Sequence, residues 1–90
     1  MNKLRRKELR TIAEKISAIS SMVEDAKSDL ENCRDDETEY MDMMPENLQN
    51  SQKYEMADEA VSNMDTAIDT LYEVIESLNS AEESIEAAAD

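Results

Sequence analysis

The 90-residue chain contains no glycine, no histidine, no tryptophan and no phenylalanine. Without glycine, turns that need a positive φ are hard to build, which argues against β-hairpins and phosphate-cradling loops. Without histidine, the chain lacks the commonest general base and the commonest metal ligand. Cys33 is the single cysteine, so no intrachain disulfide can form. Pro45 is the single proline. No apolar run reaches the roughly 18 residues of a membrane-spanning helix, and none of signal-peptide length follows the basic start. The expected compartment is a reducing cytoplasm, that of a bacterial host cell, with no membrane association.

What is present is regular. Leu9, Ile12, Ile16, Ile19, Val23, Ala26, Leu30 and Cys33 recur in steps of three and four, and Tyr40 and Met44 resume the series after Glu37. Beyond Pro45, the same steps link Tyr54, Ala57, Val61, Met64, Ile68, Leu71, Ile75 and Leu78, with Ile85 after Glu82. Such spacing puts all members of a series on one side of an α-helix. The spacing predicts an all-α fold in a single domain, 1–90: a helix over about 2–43, a connector over 44–50 and a helix over about 51–88. The short connector makes the helices antiparallel neighbours in a coiled-coil-like hairpin. Pro45 to Leu48 fits one helical turn with proline at its first position, and Asn50 or Ser51 fits the N-cap of the second helix.

With Leu9 at heptad position a, the first helix carries Ile12, Ile19, Ala26, Cys33 and Tyr40 at d. The expectation is that both rows, Cys33 included, face the second helix and are buried. Glu37 and Glu82 interrupt the ladders, where each is expected to pair with a cation or to sit at a frayed end. The second helix carries a further row beside its ladder: Ala60, Ala67, Val74 and Ala81, then Ala88. Small residues at that spacing let another helix approach closely, which points to a homodimer in which two hairpins form a four-helix bundle.

The charge is −14, from 9 basic and 23 acidic residues. It is unevenly spread. Residues 1–15 hold Lys3, Arg5, Arg6, Lys7, Arg10 and Lys15 against Glu8 and Glu14, and the hairpin would set this basic start beside Glu82, Glu83, Glu86 and Asp90. Arg34 is the one cation between Glu31 and Glu46, and Glu31 and Glu37 are both within its reach on a helix. So acidic a surface repels nucleic acid and anionic membrane, and a basic protein is the expected partner. Asp35, Asp36, Glu39 and Asp42, with Tyr40 and Met43 among them, are the candidate contact residues.

No nucleophile–base pair can be assembled, so no catalytic residue, cofactor or metal ligand is assigned and enzymatic activity is not expected. One alternative is an oligomeric sponge that holds a phosphate-containing signalling nucleotide on Arg5, Arg6 and Arg10. Another is a structural or assembly role.

Two segments carry a resemblance. The opening Met1-Asn2-Lys3-Leu4-Arg5-Arg6-Lys7-Glu8-Leu9 is one. The other is the middle Met44-Pro45-Glu46-Asn47-Leu48-Gln49-Asn50-Ser51, followed by Tyr54-Glu55. Together they resemble small acidic helical-hairpin proteins encoded by phages and mobile elements of gut Firmicutes. Because such genes include factors that block host defence, the resemblance implies a counter-defence role, such as inhibition of a host nucleic-acid-handling or defence enzyme. It implies no catalytic residues.

Overall fold

The structure, a computed structural model, describes residues 1–90. Helix α1 spans Lys3–Asp42, a 3₁₀ turn spans Glu46–Leu48, and helix α2 spans Gln52–Ala89. The protein is all-α, with its two long helices packed antiparallel as a hairpin.

The boundaries have local causes. The backbone N–H of Arg5 donates to Asn2 Oδ1 at 2.7 Å, capping α1. Pro45, with φ −57° and ψ 144°, is extended and cannot continue the helix. Its carbonyl accepts from the Leu48 N–H at 2.8 Å and closes the 3₁₀ turn. Ser51, not Asn50, caps α2: its Oγ accepts from the Tyr54 N–H at 3.3 Å.

Packing falls into two compact units. The terminal unit comprises Met1–Asp25 and Leu71–Asp90. In it, Leu9, Ala13, Ile16, Ser20 and Val23 of α1 meet Leu71, Ile75, Leu78, Ile85 and Ala89 of α2. Ser20, only 5% exposed, donates from Oγ to Asn79 Oδ1 at 3.2 Å and so fixes the local register. The turn unit comprises Ala26–Thr70. Here Leu30, Arg34, Met41 and Met44 meet Tyr54, Ala57, Val61, Met64 and Ile68.

The α2 ladder lies inward along its length, as its spacing predicts. The α1 ladder does not. Ile12 and Ile19 are 44% and 46% exposed, Tyr40 is 49% exposed, and Ala26 and Cys33 also face outward. Inward instead lie Ala13, Ser20, Lys27, Arg34 and Met41, the row on the other side of Leu9, Ile16, Val23 and Leu30. At about 100° per residue, α1 is turned by roughly 50° from the expected orientation. The reason is physical. Its apolar stripe is wider than one neighbouring helix can cover, and the turned orientation places small Ala13 and Ser20 at the contact. It also lets Ser20 and Arg34 bond to Asn79 and Asp65. The expectation of a buried Cys33 is thereby corrected.

The core is thin. Only six apolar residues are buried, and three of them are alanines. No helix is long and apolar enough to cross a membrane.

Candidate partner-binding surface

The turn unit holds three basic against thirteen acidic residues. Arg34 organises the carboxylates on one flank. Its Nη1 donates to Asp65 Oδ1 at 3.0 Å, and its Nη2 and Nε donate to Asp35 Oδ1 at 3.1 and 3.2 Å. Neither Glu31 nor Glu37 takes it. Glu31 pairs with Lys27 one turn back, at 3.0 Å. The bonds to Asp65 and then Asp35 push the Arg34 guanidinium still higher than its ordinary range, so it stays charged at any working pH. Glu37 is half-buried beside Tyr40, Lys53 and Ala60, and neither it nor Glu82 closes an ion pair.

All six residues expected to contact a partner are exposed, but the helix divides them. Asp36, Glu39, Tyr40 and Met43 fall within an arc of about 100°. Asp35 and Asp42, seven residues apart, share another row, about 140–160° from Tyr40. Asp35 is moreover engaged by Arg34. Tyr40 and Met43 line an apolar hollow of about 580 Å³ with Met44, Pro45 and Leu48, and with Ser51 and Lys53 at its edge; Asp36 and Glu39 lie one helical turn before Tyr40 and Met43 on α1. Met43 is 76% exposed and Leu48 is 46% exposed. The hollow exists because Pro45 ends α1 while the 3₁₀ turn holds Leu48 beside Tyr40 without burying it. The sequence placed this Met/Tyr cluster near the connector. What it did not reveal is that Met41 turns inward while Met43 stays exposed.

The three arginines of the alternative site do not converge. Arg6 lies half-buried in the helix contact, with Nε lacking a partner. Arg5 is exposed on the adjoining face. Arg10 borders a hollow of about 400 Å³ whose other polar lining is Glu14, Glu86 and Asp90, a set that repels phosphate. Arg10 therefore does lie near the acidic end of α2, yet no ion pair closes there. Charges this exposed gain little from direct contact.

The dimer-row residues Ala67, Val74 and Ala81 are exposed, and Ala60 is half-buried. No group of three or more carboxylate or thiol side chains is placed to hold a metal ion. Comparisons with protein-family models, curated proteins and solved structures give no match. What fold and surface define is therefore a class: an all-α antiparallel hairpin with exposed apolar side chains suited to contact with a partner.

Proposed function

We infer that the protein is a non-enzymatic binding protein whose turn unit engages a basic protein partner. One observation carries this reading: an exposed apolar hollow formed by Tyr40, Met43 and Leu48, with Asp36 and Glu39 one helical turn before Tyr40 and Met43, lies in a unit with ten more acidic than basic residues. An apolar anchor seated in the hollow supplies affinity, and the surrounding carboxylates steer a cationic surface and fix its orientation. The resemblance to phage and mobile-element proteins of gut Firmicutes supports a target among host nucleic-acid-handling or defence enzymes, whose phosphate-binding surfaces are basic. The sponge reading is less favoured, because Arg10 is surrounded by carboxylates and Arg6 is turned into the helix contact.

The test uses a lysine-rich peptide with one central tryptophan, and the same peptide with alanine in its place. The tryptophan peptide should bind more tightly, and added salt should weaken both. The pair Asp36→Lys and Glu39→Lys should abolish binding, whereas Asp35→Lys with Asp42→Lys, on the other row, should cost much less. Equal loss from the two pairs would reduce the surface to a diffuse negative field. Unchanged binding in both would remove the proposal.

A further inference from the structure

The outward rows of the terminal unit form one face. Counting round α1, Ile12 and Ile19 lie about 80° from the centre of its contact with α2. Counting round α2, Val74, Ala81 and Ala88 lie about 90° from the centre of its contact with α1. Because the helices run antiparallel, both displacements turn to the same side, away from the Ser20–Asn79 bond. The corresponding rows of the turn unit show the same handedness directly, since Tyr40 and Ala60 line one shared hollow.

The Ser20–Asn79 bond also sets which residues are level. Position 19 lies opposite position 80, and position 12 opposite position 87. Ile19 is thus level with Ala81, and Ile12 with Ala88. Each layer of the face pairs one bulky side chain with one alanine. The face is also free of carboxylates along α2: in a chain with 23 acidic residues, none occupies the strip Val74, Ser77, Ala81, Ser84, Ala88.

We propose that the terminal-unit face is covered by the terminal unit of a second copy, related by a two-fold axis parallel to the helices. This rests on the expectation of a homodimer and commits it to particular residues and one operator. Under that operator, α1 of each copy lies over α2 of the other in the same register. Ile19 of one copy then sits on Ala81 of its partner, and Ile12 on Ala88. Each layer gains two bulky and two small side chains at alternate corners, the arrangement that fills space between helices. An axis running across the helices would instead stack isoleucine on isoleucine and alanine on alanine, leaving gaps. The surface area leaves room for such a cover. The chain exposes 6714 Å². A folded monomer of 10.2 kDa exposes about 5,300 Å². The excess, roughly 1,400 Å², is more than the ~800 Å² that each partner contributes to a standard interface.

Sedimentation equilibrium of the full chain, with circular dichroism in parallel, tests the proposal. The wild type should be dimeric, and salt should tighten the dimer because both copies are acidic. Salt acts with the opposite sign on a basic partner, and the Asp36→Lys, Glu39→Lys variant should keep the dimer, so the two readings fail separately. Ile19→Ala should weaken the dimer by ~10–100-fold, as loss of a packed side chain in two symmetric places. Ile19→Ala combined with Ala81→Ile should restore it, since bulky and small side chains merely exchange corners. A wild type that stays monomeric at high salt would leave the face to some other occupant and overturn the proposal. So would a dimer indifferent to Ile19→Ala, or a double variant no tighter than the single one.

Discussion

Ser20 and Ser21 are adjacent and chemically identical, yet the fold treats them as opposites. Ser20 is 5% exposed and bonded to Asn79, whereas Ser21 is exposed. Replacing each in turn by aspartate changes net charge and helix propensity equally, so the difference between the variants isolates burial. At Ser21 the change should fall within about 0.5 kcal/mol of wild type. At Ser20 the new carboxylate is held against α2 with no cation paired to it. An unpaired buried charge costs several kcal/mol, and the exposed Asn79 amide relieves part of that by turning a donor toward it. The expected cost is about 2–4 kcal/mol. For a chain of this size that lowers Tm by about 10–30 °C relative to the Ser21 variant. Thermal melts followed at the helical band of the circular dichroism spectrum, at matched chain concentration, measure it.

The pH dependence has a definite sign. Burial raises the introduced carboxyl above its unfolded value near 3.9, so the fold disfavours its charged form. The gap between the two variants should be full at neutral pH. It should shrink as pH falls through the raised folded value, because the neutral acid is the form the fold tolerates. Equal melting temperatures at neutral pH would show that α1 presents Ser20 to solvent, as the Ile12 and Ile19 ladder implies, and would refute the turned orientation.

Two further outcomes are expected. Ser51→Ala removes the α2 cap and should cost about 1 kcal/mol in urea denaturation, with an unchanged m value. At dilute concentration, the Cys33 thiol of the folded chain should react with a disulfide reagent about as fast as in denaturant; strong protection would mean that it is buried.

The sequence by itself determined the two helices, the break at Pro45, the capping role open to Ser51, and the inward face of α2. These follow from local rules. A 3,4-spaced ladder bounded by polar residues leaves α2 one way to bury its apolar side chains, and proline cannot continue a helix. The acidic, aromatic-containing region near the connector was legible too, because charge and composition survive any folding.

The orientation of α1 was decided only by tertiary structure. Leu9, Ile16, Val23 and Leu30 are central to a stripe with Ile12 and Ile19 on one side and Ala13 and Ser20 on the other. Either side satisfies the periodicity. The choice between them depends on what α2 offers opposite: Asn79 for Ser20 and Asp65 for Arg34, partners 59 and 31 residues away in the chain. Spacing along one helix contains no information about polar groups on another. The same choice turned Ile12, Ile19 and Cys33 from core residues into surface.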